Sequence, residues 1–323
     1  MSDRTGALAA PDQQRGRQRA WTVLAVVVSV VVLGLMLAQA PGGLATDVLV
    51  RASPSWTLLA TGVSLVPLVA MTGALLAVSP ERLPVPRTFV VQVGTSFANA
   101  IAPAGAGGVA LNARFLLRRG VPTAEAVALV ALVQLTSVAV TVVFLALLLL
   151  ASGAVTEGLQ ALPLMALALG AVVVAALAAA ASRVPQLRRV VVDRVVAPMV
   201  AAWPRLRATV SSPWRLCALT ASHLAVTAGL ALTLLCCVRA FEVDLPFTAV
   251  LVAMLAGSAV GSVAPVPGGI GTVEAATAAA LLAAGSGATD ALSIALLFRL
   301  LTFWLRLPLG WLCLVWLRRR RAI

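Results

Sequence analysis

Lysine and tyrosine are missing from this 323-residue chain, which holds one histidine, eleven acids and four cysteines. Because all 24 basic residues are arginine, a P-loop lysine, a pyridoxal Schiff base and a Ser-Lys nucleophile pair are excluded. Apart from Glu274 and the two acids of the N-terminal tail, the acids are scattered singly: Asp47, Glu81, Glu125, Glu157, Asp193, Glu242, Asp244 and Asp290. They form no paired-carboxylate, DxD or HxxxH pattern, so the sequence offers no catalytic residue, no metal site and no cofactor. Cys217, Cys236, Cys237 and Cys313 lie in apolar stretches without CxxC spacing and read as small buried hydrophobes. His223, beside Ser222 and Thr227 in an apolar stretch, reads as a packing residue rather than a proton relay.

Only 11% of residues are charged, 61% are apolar, and the mean hydropathy is +1.03. This is the composition of an integral membrane protein. The net charge of +13 does not indicate nucleic acid, because the arginines crowd into short segments between apolar runs rather than onto an exposed domain. Full-length apolar spans are expected at residues 21–40, 57–78, 123–151, 161–182, 214–238 and 289–317, each near or above the ~20 residues that a ~30 Å hydrocarbon core requires. The first could be a signal peptide, since Ala38, Gln39 and Ala40 resemble a cleavage site. Its length and the following Pro41 favour an uncleaved anchor. Trp21, Trp56, Trp214 and Trp316 stand at span ends, as interfacial anchors do.

Two further apolar stretches, 88–117 and 247–284, are interrupted by Pro and Gly at 103–108 and 265–271. SFANAIAPAGAGGVALNARF from Ser96 and GSAVGSVAPVPGGIGTVEAA from Gly257 say nearly the same thing about 160 residues apart. Interrupted segments at corresponding places in two halves point to a transporter's binding site, because unwound backbone at bilayer depth persists only inside protein or beside a watery cavity. Each arm is too short to cross, so both segments are expected to be re-entrant hairpins. Counting arginines supports this: with two hairpins, residues 1–20, 81–87, 114–119, 183–215 and 318–321 face the cytoplasm with 4, 2, 3, 7 and 4 arginines, leaving Arg51 and Arg239 outside. The second hairpin then opens on the external side, with Glu242, Asp244 and Asp290.

The expected architecture is an all-α membrane protein of about six spans plus two hairpins in inverted repeats. Repeat one covers 57–151 and repeat two 214–317, within a transmembrane domain at 21–317. Basic tails at 1–20 and 318–323 flank it, and the basic loop 183–215 is a solvated positive-inside segment or a lipid-headgroup contact. The hairpin tips should meet near the midplane. Inside the bilayer each acid or arginine costs ~3 kcal/mol on insertion scales, so the buried charges matter most. Arg299 lies about ten residues into the last span, and Arg306 follows seven later on the same face of a regular helix. Glu274, in the first turn after PVPGGIG, suits a helix N-terminus. A Glu274–Arg299 pair is expected, leaving Arg306 for an anionic ligand; alternatively, these charges only lock helices together. Repeat one carries Asn99, Asn112 and Arg114 in its hairpin, and Gln134 stands where repeat two has Arg299. Gly257 and Gly261 form a GxxxG that would let helices approach closely.

PAGAGGVALNARFLLRRGVP from Pro103, PVPGGIGTVEAA from Pro265 and LLFRLLTFWLRLPLGWL from Leu296 resemble the transmembrane, flippase-like domain of the lysylphosphatidylglycerol synthase family. The resemblance spans most of 21–317. It implies movement of an aminoacylated phospholipid or other polar lipid across the cytoplasmic membrane, and some relatives are linked to lipid-linked glycan assembly. Pro265, Pro267, Gly268, Gly269, Gly271, Glu274 and Arg299 match the family's second motif and its partner helix; Pro103, Gly107 and Gly108 belong to the first. That first motif departs from the form many members show, because residues 109–112 offer no acid. No soluble catalytic domain follows Arg321, so synthase activity is not implied. The expected function is a flippase for an anionic or aminoacylated phospholipid or a related lipid-linked headgroup, with both termini cytoplasmic. An integral-membrane transferase and an accessory subunit in lipid or lipid-linked glycan modification are the alternatives. The expected partners are the lipid substrate, the membrane, and a second copy or a membrane enzyme, with no nucleic acid.

Overall fold

The computed structural model describes residues 50–102, 106–151, 203, 207, 211–264, 266–320 and 322–323. The expected spans at 21–40 and 161–182, most of the basic loop, Pro103 and Pro265 lie outside the described residues.

All described regular structure is helical: α1 (Pro54–Val63), α2 (Val66–Val78), α3 (Val85–Ile101), α4 (Ala106–Leu117) and α5 (Thr123–Ala151) precede the basic loop. After it come α6 (Pro213–Ala240), α7 (Phe247–Val263), a short 3₁₀ turn at Pro267–Gly269, α8 (Thr272–Ala283) and α9 (Ala288–Arg299). A π-helical turn, Leu300–Trp304, then joins α9 to α10 (Arg306–Arg319). Among the described residues four stretches are long and apolar enough to cross a membrane: Pro54–Val78, Thr123–Phe144, Pro213–Ala240 and Ala288–Arg319. They coincide with the spans expected at 57–78, 123–151, 214–238 and 289–317.

The first of these rods is broken at Ser64 and Leu65. Pro67 has no N–H to give the Val63 carbonyl, and Leu68 donates to the Leu65 carbonyl (3.0 Å) instead of to Ser64. The Ser64 carbonyl is thereby released from the helical ladder, an expensive state at bilayer depth unless another donor reaches it.

Lipid tails are as apolar as leucine, so packing and close backbone approach, not burial from water, hold such helices together. Helix α6 is the hub, packed against α1, α2, α5, α7 and α9. Leu234 and Val238 of α6 join Val250, Leu251 and Met254 of α7, Leu281 of α8, and Ile294, Leu297 and Phe298 of α9 in one buried cluster. Cys236 and Cys237 lie in it as free thiols. His223 is buried in α6, its backbone carbonyl bonded by the Thr227 hydroxyl. Trp56, Trp214 and Trp316 are exposed near helix ends.

The two interrupted segments fold as helical hairpins. In the first, α4 runs back along α3, with Gly94 facing Leu111, Gly107 against the Ala98 backbone and Gly108 against the Asn99 side chain. In the second, Gly257 and Gly261 present bare backbone to Thr277 and Val273 of α8, as the GxxxG spacing anticipates. The first hairpin lies along α10: a methyl on Gly310 would stand 2.7 Å from the Val93 carbonyl oxygen, and Gly94 faces Leu314. The start of α3 is therefore beside the C-terminal end of the last rod. The loops flanking the second hairpin gather at the other end, where the Ser53 amide bonds the Ala240 carbonyl at 2.8 Å. Arg51 pairs there with Asp290 at 2.9 Å and Arg239 with Asp244 at 2.6 Å.

Candidate functional site

The second hairpin turns through glycines because its backbone requires them. Gly268 and Gly271 have φ of 64° and 81°, left-handed values that cost an ordinary L-residue about 1–2 kcal/mol. Gly268 also sits against the Phe303 ring and the Ala100 backbone, so a side chain there would have no space. Its neighbour on the other side of the contact, Ala100, is at the tip of α3: the two hairpin tips meet.

Glu274 caps α8. One carboxylate oxygen accepts the Gly271 amide at 2.8 Å, which satisfies an orphan donor of the helix N-terminus and places negative charge at its positive end. The other oxygen accepts Arg299 Nε at 2.8 Å, and Arg299 Nη2 donates to the Gly268 carbonyl, also at 2.8 Å. Both side chains are buried, with 4% of the Glu274 side chain and 9% of the Arg299 side chain exposed. The guanidinium carbon lies 4.1 Å from the centre of the Phe303 ring, a cation–π contact. The expected Glu274–Arg299 pair is thus present, and it laces both sides of the PGGIG turn to the last rod. Removing the ring through Phe303→Leu should lower stability by about 0.5–2 kcal/mol, whereas Phe303→Tyr keeps the π face. Thermal unfolding in detergent separates the two variants, and equal losses would discount the contact.

Arg306 does not line the cavity described below, and it has a protein partner of its own. Its Nη2 donates to the Ser64 carbonyl released at the α1–α2 break, while its buried Nε has no protein acceptor among the described residues. The π turn separates the two arginines: the Leu305 amide bonds the Leu300 carbonyl, five residues back, and the widened turn takes Arg306 off the Arg299 face. A regular helix would have kept them together.

Beside the pair is a cavity of about 430 Å³ between the hairpin tips and the last rod. Ser96 and Asn99 of the first hairpin, Ser258 and Ser262 of the second, and Arg299 and Thr302 supply its polar lining; Phe298 and Phe303 form apolar wall. Gly268 and Gly269 line it and Gly271 adjoins the turn. Asn99 Oδ1 accepts the Gly108 amide at 2.6 Å, tying the start of α4 back to α3, and Gly107 provides the close approach. The remaining sequence candidates lie elsewhere. Asn112 accepts from Gln92 at 3.0 Å inside the first hairpin, Arg114 is exposed, and Gln134 is exposed on α5 rather than taking a place equivalent to Arg299.

The sequence reading missed Thr302, Phe303 and the serines as cavity walls. Phe303 was within reach, since it stands four residues after Arg299, the spacing at which helical neighbours meet. The serines gave no such signal.

Residues 22–310, most of the chain, match the family model of the lysylphosphatidylglycerol synthase TM region. No curated protein matches the chain.

Proposed function

We propose, from the premise that the chain belongs to the lysylphosphatidylglycerol synthase transmembrane family, that it carries the polar headgroup of a phospholipid or lipid-linked compound across its membrane. The family is linked to aminoacyl-phospholipid synthesis and flipping, and the helices make this a multi-pass membrane protein. One observation carries the reading: a polar cavity stands between two Pro/Gly hairpin tips, about a third of the way along the Ala288–Arg319 rod. A carrier needs a wet path for the headgroup while acyl tails remain in hydrocarbon. Ser258 and Ser262 are exposed where the cavity opens, and Val260 and Val266 are exposed close to them, an apolar flank against which tails can lie.

In this reading the α3–α4 and α7–α8 hairpins are re-entrant from opposite membrane faces, and residues 57–151 and 214–317 are inverted repeats that rock about the cavity. The basic ends at Arg82, Arg87, Arg114, Arg118, Arg119 and Arg318–Arg320 face the cytoplasm of a plasma-membrane protein, with both termini inside. Support comes from the other end, where Arg51 and Arg239, the two arginines left outside, are matched by Asp290 and Asp244. No chemical step is assigned to the site, since Glu274 is committed to Arg299 and to the Gly271 amide.

Reconstitution into vesicles with headgroup-labelled phospholipids tests the proposal. Labelled headgroups should reach the opposite leaflet faster than in protein-free vesicles. Ser258→Trp, which fills the open side of the cavity, should return the rate to that background without lowering the unfolding temperature. A lipid recovered chemically altered, or a rate indifferent to Ser258→Trp, overturns it.

A further inference from the structure

The cavity's charge and hydrogen-bonding inventory specify more than polarity. Arg299 is the only ionisable group lining it among the described residues, and Glu274 neutralises that charge from behind at 2.8 Å. No carboxylate of the described residues lines the space. An ammonium group entering it would lose its hydration without gaining a counter-charge, and a fully anionic group would meet a cation already spent on a carboxylate; both losses are costly away from water.

Three of the four lining hydroxyls are polarised in one sense. Ser258 donates to the Met254 carbonyl at 2.9 Å, Ser262 to the Ala259 carbonyl at 2.7 Å and Thr302 to the Phe298 carbonyl at 2.7 Å. A hydroxyl has one proton, so each of these oxygens is left to accept. Asn99 has the reverse balance: its Oδ1 accepts the Gly108 amide, and its amide protons remain to donate. Arg299 has used two of its five N–H groups on Glu274 and Gly268. Acceptors and donors thus both line an electrically balanced space, with the Phe298 and Phe303 side chains on its apolar wall. The complement is a group that both donates and accepts, carries no net charge, and has an apolar face. A volume of about 430 Å³ holds a headgroup of one sugar size.

We infer that the cavity selects a lipid with an uncharged, hydroxyl-rich headgroup, a glycosyl or polyol group, over one bearing an aminoacyl ammonium. The inference rests on the carrier reading and narrows its substrate class. It separates this chain's site from the cationic lipid in the family's name.

Purified full-length protein is titrated with three lipids of identical acyl chains, monoglucosyl diacylglycerol, phosphatidylglycerol and lysylphosphatidylglycerol, and binding is read by native mass spectrometry. The same three lipids are followed in the vesicle assay. The glucosyl lipid should bind at least about tenfold more tightly than the lysyl lipid, a ratio that about 1.4 kcal/mol supplies. Thr302→Val and Ser258→Ala, which each remove an acceptor, should each weaken glucosyl binding several-fold, about the worth of one hydrogen bond, and leave lysyl binding unchanged. Two variants guard against one failing to fold. Equal or tighter binding of the lysyl lipid or of phosphatidylglycerol overturns the inference, as does glucosyl binding untouched by both variants. The two readings fail separately: the expected order of binding without transfer between leaflets removes the carrier and keeps the site's selectivity, whereas transfer without that order does the opposite.

Discussion

Arg299→Ala should destabilise the protein by about 3–5 kcal/mol, the cost of leaving a buried charge without its partner. The substitution leaves the buried Glu274 carboxylate without its cation, orphans the Gly268 carbonyl and strips the Phe303 ring of its partner. Glu274→Gln should cost less, since its amide can still accept the Gly271 proton, but it leaves Arg299 buried and uncompensated. The double variant Glu274→Gln, Arg299→Gln has no isolated charge, so its loss should fall well short of the sum of the single losses. Thermal unfolding of the four proteins in detergent measures the coupling. Simple additivity would mean that the two charges do not act as a pair.

The second large effect is expected at Gly107. A methyl there would be driven into the carbonyl group of Ala98, and backbone cannot swing aside as a flexible side chain can. Overpacking of this kind costs about 1–3 kcal/mol in well-packed interiors, and a backbone collision stands at the upper end. Gly107→Ala should therefore open the first hairpin, pull Asn99 from the Gly108 amide and lower the unfolding temperature together with headgroup transfer. Gly62→Ala is the matched control: nothing lies within 4 Å of its added methyl, and alanine is the better helix former by about 1 kcal/mol. An equal response at both positions would show that glycine content, not contact, sets the effect.

Much of this was legible in the sequence because lipid makes polar and kinked positions expensive. The PVPGGIG turn announced itself as a Pro/Gly break in apolar sequence, and Glu274 and Arg299 could be paired from the cost of burying either alone. The meeting of the hairpin tips at Ala100 and Gly268 followed from the duplicated segments. The path of Arg306 was hidden. It needed two local irregularities together, the break at Ser64 that frees a carbonyl and the π turn at Leu300–Trp304 that redirects the side chain, and the apolar run does not announce the second. Pro67 did mark the first of them. The place of Gln134 was hidden for another reason: α5 is apolar all round, so no amphipathic phase tells which face turns inward.

The wide turn at Leu300–Trp304 has a mechanical corollary. Above it a guanidinium grips the tip of one hairpin, and below it a second guanidinium grips the first rod, which belongs to the opposite half of the chain. A single helix is thereby fastened to both halves by cations roughly two turns apart. Were one half to tilt against the other, as the proposed carrier requires, one of these fastenings would have to let go or the turn between them would have to unwind, and the helix would then act as a tether whose weakest joint sets the reach of that motion.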